Sequence, residues 1–229
     1  MRIPTTFMGV VFTTALCASL AGAATATTTT GAGTATNAAH AATKVVVVRP
    51  VTSSGAAVTG FHVKTQHDVS IDCSSRQPSA GAVDRNIEEC SPSAAYAIAC
   101  WKAATSHHAL CTRDPSSHRL YRIALTGRFA KTPVVKAKWR APLLIVLTDG
   151  TRCSIRDGGA WGTLKSHPSW NGTYSCTKHG IVWSAPKAKH EGVDESSSSW
   201  SVHTGSAAGT GKLTARHIER AYFVGTASR

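Results

Sequence analysis

Cysteine placement constrains this chain more than any other feature of its sequence. Six of its seven cysteines are Cys73, Cys90, Cys100, Cys111, Cys153 and Cys176; the seventh, Cys17, lies in an N-terminal apolar run. None of the spacings is C-x-x-C, which argues against a zinc ribbon or a thioredoxin-type centre. An even set of cysteines in an exported chain reads as a disulfide framework. Loops between near neighbours close at the lowest entropic cost. The expected bridges are therefore sequential: Cys73–Cys90, Cys100–Cys111 and Cys153–Cys176.

Export itself is read from the N-terminus. Met1 and Arg2 form a short positive region, an apolar run extends from Phe7 to about Leu20, and Ala21-Gly22-Ala23 and Ala24-Thr25-Ala26 supply A-x-A cleavage sites. This is the pattern of a secretory signal peptide over residues 1–23, with cleavage as late as residue 26. The run falls short of the roughly 20 apolar residues of a transmembrane helix, and no later segment could span a bilayer. An uncleaved anchor is the alternative. Thr14-Ala15-Leu16 before Cys17 departs from a lipoprotein signal, so Cys17 is expected to be discarded.

Residues 24–43 are almost all Ala, Thr and Gly. With no large apolar group they cannot offset their ordering entropy, and a disordered linker is expected, either bare or carrying O-linked sugar. From Lys44 onward the character changes. Val45 to Val48 are β-branched, and short apolar runs follow at close spacing, among them residues 60–65, 69–73, 119–125, 142–147 and 151–156. Asp-Pro-Ser-Ser (114–117), Thr-Asp-Gly (148–150) and Asp-Gly-Gly (157–159) punctuate them with residues that tolerate turns. Many short strands separated by turn signals predict an all-β fold over residues 44–229. An antiparallel meander, as a sandwich or barrel braced by disulfides and with little helix, is expected as a single domain. Residues 92–104 are rich in Ala, but Tyr96, Ile98 and Cys100 alternate at period two and favour a strand. One short helical turn is expected within 80–90. Residues 128–141 read as a connection between two sub-domains, or as a segment whose Val134, Val135 and Trp139 pack.

Several chemistries leave no signature. There is no G-x-S-x-G, and six cysteines held in disulfides leave no thiolate. No catalytic residue is assigned. Eleven histidines include no H-x-H and no H-E-x-x-H, so no metal site is assigned either. The "GTGKLT" run (209–214) has Leu213 where a phosphate loop needs Ser or Thr, and no βαβ pattern surrounds it. No cofactor and no nucleotide are expected.

The stretch from Cys153 to Cys176 holds the candidate binding residues. If Cys153 pairs with Cys176, the glycines, Pro168 and tryptophans between them form a tied loop. Such a loop could present Trp161, Trp170 and Tyr174 to a ligand beside Arg152, Arg156 and Asp157, since exposed aromatics on loops serve glycan and protein recognition. The alternative is structural, with Trp161 and Trp170 capping the edge of a core and Arg156-Asp157 as a surface pair. Tyr174, two places before Cys176, resembles the tyrosine corner of immunoglobulin domains locally, although Cys153 is too close for the two-sheet bridge of that fold.

The segments "ACWKAAT" and "ALCTRDP", then "DGTRCSIRDGGAWG" and "HPSWNGTYSC", then "AYFVGTA" occur in that order. This combination resembles exported proteins of unknown function from high-GC actinobacteria such as mycobacteria, over most of residues 60–227. The resemblance implies a bacterial exported location and an idle glycosylation sequon at Asn171. It implies no activity and no catalytic residue. The net charge of +13 and pI of about 9.8 favour polyanionic partners, unless basicity serves solubility alone. The expectation is a secreted or cell-envelope-associated, non-catalytic binding protein. Its partner would be an anionic cell-wall polymer, a glycan or a protein. The alternative is a secreted hydrolase with an unrecognised site.

Overall fold

The computed structural model describes residues 40–105, 107–156 and 162–228; the signal peptide expected at residues 1–23 and most of the linker lie outside them. Among the described residues there are eleven strands: β1 Lys44–Thr52, β2 His62–Ile71, β3 Ala99–Lys102, β4 His108–Thr112, β5 Arg119–Leu125 and β6 Leu144–Leu147, then β7 Arg152–Ile155, β8 Asn171–Cys176, β9 Ile181–Ser184, β10 Ser201–Gly205 and β11 Thr214–Ala227. Helical geometry among the described residues is confined to short 3-10 turns. The expected helical turn within 80–90 is not helical: Ala82 N–H closes a single turn onto Ser79 O (3.0 Å), and the segment then meets β3 through an antiparallel bridge between Glu88 and Cys100.

Strands β6 to β11 form an antiparallel meander that closes on itself, because β11 pairs with both β10 and β6. The result is a six-stranded barrel. Closure depends on the length of β11. Its first residues, Thr214 to His217, pair with β10, and Ile218 to Tyr222 pair with β6. Beyond the end of β10, β11 carries β1 in parallel, from Lys44 opposite Arg220 to Thr52 opposite Ala227. The second sheet has the order β2-β5-β4-β3, with β2 parallel to β5 and the other pairs antiparallel. Two parallel additions therefore supplement the expected antiparallel meander.

Alternation along the strands fills the barrel with side chains, as a small barrel requires. Ile145, Ile155, Tyr174, Val182, Val202, Ile218 and Phe223 share one buried cluster, which runs on into Trp101, Leu110 and Leu120 of the second sheet. The opposite face of that sheet carries Cys100, Cys111, Ala109 and Ile123, with Cys73 and Cys90 packed on it. The three disulfides pair in sequence order: Cys73–Cys90, Cys100–Cys111 and Cys153–Cys176. Two of them join residues directly opposite across a hairpin, Cys100 with Cys111 and Cys153 with Cys176.

Docking on the barrel begins earlier in the chain than composition suggests. The Thr43 hydroxyl donates to Ile218 O (2.7 Å) and accepts from Trp200 N–H (2.8 Å), and His40 stacks on His217. Residues 40–43 thus dock on the barrel instead of continuing the linker, because one hydroxyl meets two backbone groups there. The "GTGKLT" loop is also structural. Gly209 has φ +68°, and a Cβ there would lie 2.0 Å from Thr163 O, so only glycine fits.

Candidate functional site

The β4–β5 hairpin and the outer face of β7–β8 line an open cavity of about 420 Å³. Period-two alternation positions its lining. Cys111 and Arg113 lie on one face of the hairpin, and Arg119 and Tyr121 lie on that same face, with Cys111 opposite Tyr121. On the barrel, Cys153 and Ile155 point inward, leaving Arg152 and Ser154 outward, opposite Ser175. Thr177 follows β8 and is fixed beside Arg152 by two bonds: its N–H donates to Arg152 O (2.8 Å) and its hydroxyl accepts from Arg152 N–H (3.2 Å).

The rim of the cavity is held rigidly. Asp114 Oδ1 accepts from Ser116 N–H (3.0 Å) and from Ser116 Oγ–H (2.9 Å), which sets the 3-10 turn Pro115–Ser117. Arg152 Nη2 crosses from the barrel to donate to Asp114 Oδ2 (2.8 Å) and Ser116 Oγ (2.7 Å). Tyr96 stacks on Tyr121 with ring centroids 4.1 Å apart, at the far side of the same cavity. The cavity therefore gathers three guanidinium groups, Arg113, Arg119 and Arg152, but one carboxylate, Asp114, which Arg152 already engages. Among the described residues no carboxylate pairs with Arg113 or Arg119. Hydroxyls of Ser117, Ser154, Ser175 and Thr177 complete the lining. Guanidinium forks beside hydroxyl donors suit phosphate, sulfate or carboxylate oxygens, and the tyrosine pair offers a flat apolar face.

The sequence candidates are dispersed by the fold. Arg152 lines this cavity. Arg156 lies in a smaller cleft with Gln77, Glu89 and Glu191. Trp170 is half-buried against Leu164, Ile181, Trp183 and Leu213, with its ring near His167 and His203. Tyr174 is fully buried inside the barrel and its hydroxyl donates to Pro142 O (2.8 Å). Burial raises its phenol well above the ordinary value. Tyr174 is therefore a core residue and cannot meet a ligand, because its register opposite Ile155 turns it inward. Asp157 and Trp161 lie outside the described residues. The four described candidates do not converge on one surface. Missing from the sequence reading were Arg113, Arg119, Tyr96 and Tyr121. The strand at 119–125 already implied that Arg119 and Tyr121 share a face, but nothing local brought Tyr96 to them.

A histidine–carboxylate pair lies elsewhere. Asp149 Oδ2 is 2.6 Å from His179 Nε2 and 3.6 Å from Arg216 Nη1, and Asp149 Oδ1 accepts from Thr151 N–H (2.9 Å). The Thr151 hydrogen bonds, then His179, hold this carboxyl well below its usual range. Among the described residues no serine, threonine or cysteine side chain bonds to His179, so the cluster ties the β6–β7 turn to the β8–β9 turn and β11. No three His, Cys, Asp or Glu residues gather as a metal site among the described residues. No protein-family model, curated protein or solved structure matches the chain.

Proposed function

We propose that the protein is an exported, non-catalytic binding protein of the cell envelope that holds an anionic polymer or glycan in the cavity between the β4–β5 hairpin and β7–β8. The observation that carries this reading is the charge imbalance in an open, solvent-facing cleft. Among the described residues Arg113 and Arg119 line it without a carboxylate partner, and Asp114 is already committed to Arg152. The stacked Tyr96–Tyr121 pair supplies apolar area for a sugar ring or polymer backbone. Three disulfides and a positive net charge fit an extracellular setting and a polyanionic partner. Among the described residues no helix is long and apolar enough to cross a membrane.

Retention of the purified protein on immobilised polyglycerol phosphate and on polygalacturonate, with neutral dextran as control, tests the reading. Retention on one or both charged polymers, reduced about tenfold or more by Arg113→Ala with Arg119→Ala, is the expected result. Equal loss from Lys165→Ala with Lys212→Ala, a charge-matched change on distant loops, would reduce the cavity to ordinary surface charge.

A further inference from the structure

We infer that the β5–β6 connection, with Trp139 at its tip, docks the protein on an anionic lipid surface. This goes beyond the polymer-binding reading, since it uses none of the cavity residues. Between Asp114 and Asp149 the chain contains no carboxylate, yet it carries Lys131, Lys136, Lys138 and Arg140. Within that acid-free stretch Trp139 is 52% exposed and Val134 40%, among the most exposed large apolar side chains of the described residues. Lys138 Nζ sits 5.5 Å from the Trp139 ring centroid.

The loop is a fixed platform. Val135 packs against the core beneath it. Trp139 N–H donates to Lys136 O (2.8 Å), Arg140 N–H to Ala137 O (3.2 Å), and Arg140 Nη2 to Val135 O (2.9 Å). The 3-10 turn Ala137–Trp139 also packs against the turn Lys189–Gly192, where His190 Nδ1 meets Arg140 O at 2.7 Å. Lys187 and Lys189, distant in sequence, thereby join the same basic region. The nearby acids are turned to other partners. Glu195 lies 3.6 Å from His190, and Glu191 lines the cleft that holds Arg156.

An exposed indole with Lys138 over its ring, on a loop rich in cations, matches the water–lipid boundary. Tryptophan favours that boundary, while lysine reaches anionic headgroups. A purely charged polymer would use the lysines but gain little from Trp139 and Val134. The pre-set loop loses little entropy on docking.

The test uses sedimentation with vesicles of phosphatidylcholine alone and with 30% phosphatidylglycerol, alongside fluorescence difference spectra between the wild-type protein and Trp139→Phe. Five other tryptophans make the difference necessary. Binding is expected only to the anionic vesicles, with a blue shift assigned to Trp139. Lys136→Gln with Lys138→Gln should lower partitioning by about 25-fold. Arg113→Ala with Arg119→Ala should leave vesicle binding unchanged, which separates failure of this inference from failure of the cavity reading. Vesicle binding without a Trp139 shift would reduce the contact to charge alone and overturn the inference. Binding to polyglycerol phosphate that requires the same lysines, with none to vesicles, would overturn it in favour of a polymer.

Discussion

Glu88 is buried completely, and neither carboxyl oxygen makes a well-formed hydrogen bond among the described residues. Burial pushes its pKa up to about 7, with the Thr132 hydroxyl opposing the shift. Because the folded-state value exceeds the unfolded one, the fold favours the protonated acid. The associated stability is fully present below the unfolded pKa, near 4.5, and is lost as pH rises toward about 7. The loss by pH 8 amounts to roughly 3 kcal/mol. Urea unfolding from pH 4.5 to 8 should show this decline in the wild-type protein and a flatter profile in Glu88→Gln, with the variant the more stable at pH 8. Parallel profiles would show that Glu88 does not titrate in this range. Asp114 is the other residue whose single side chain organises a region. It sets the 3-10 turn and meets Arg152. Asp114→Ala should cost about 1–2 kcal/mol, chiefly through the lost turn bonds, since the ion pair is partly exposed. The same variant removes the one carboxylate of the cavity and frees Arg152, so retention on the charged polymers should hold or strengthen. Thermal unfolding and polymer retention measure the two effects separately.

At the scale of elements, the hairpins β3–β4 and β7–β8 each carry a bridge between directly opposed cysteines. The bridges close loops of different length, with sequence separations of 11 and 23 residues. On the chain-entropy model each contributes about 3 kcal/mol, the longer loop roughly half a kcal/mol more. Paired alanine substitutions should therefore lower stability in the order Cys153–Cys176 more than Cys100–Cys111, as read by denaturant midpoints under non-reducing conditions. The reverse order would point to native contacts, not loop length, as the dominant effect. The strands themselves were legible where apolar runs ended at turn residues. Residues 119–125 form β5 with those limits, and the competition between helix and strand at 92–104 resolves into one 3-10 turn followed by β3. β2 was less legible. Residues 60–65 and 69–73 read as two runs, but they form one strand whose register on β5 slips between Thr65 and Ser70. A bulge of that kind leaves no local signal, because it is tolerated by an exposed edge.

For the whole molecule, charge sets the behaviour that the proposals require. Removing residues 1–23 takes away one basic residue and no acid, leaving +12. Screening shortens the reach of such charge from about 10 Å at 0.1 M salt to about 3 Å at 1 M. Protein associated with isolated cell walls should therefore leave them in molar salt. Retention in salt with release by detergent would indicate that the N-terminal apolar segment is kept as an anchor. Free protein at low salt would assign the basic surface to solubility alone.

The sequence by itself determined the local features. Turn residues between short β-rich runs set the strands, and cysteine spacing set the three pairings, because loop closure depends on chain length between the two ends. Tertiary structure decided everything that depends on distant segments. Closure of the barrel needs β11 to reach from β10 to β6, and the parallel pairing of β1 with β11 joins opposite ends of the chain. Tyr174 is buried and Arg152 is not because register across β7–β8 assigns each a face. The cavity exists only where the β4–β5 hairpin meets the barrel, and the basic Trp139 platform only where residues 137–139 meet residues 189–192. Local patterns encode which side chains share a face. Which faces meet is fixed by packing between elements far apart in the chain.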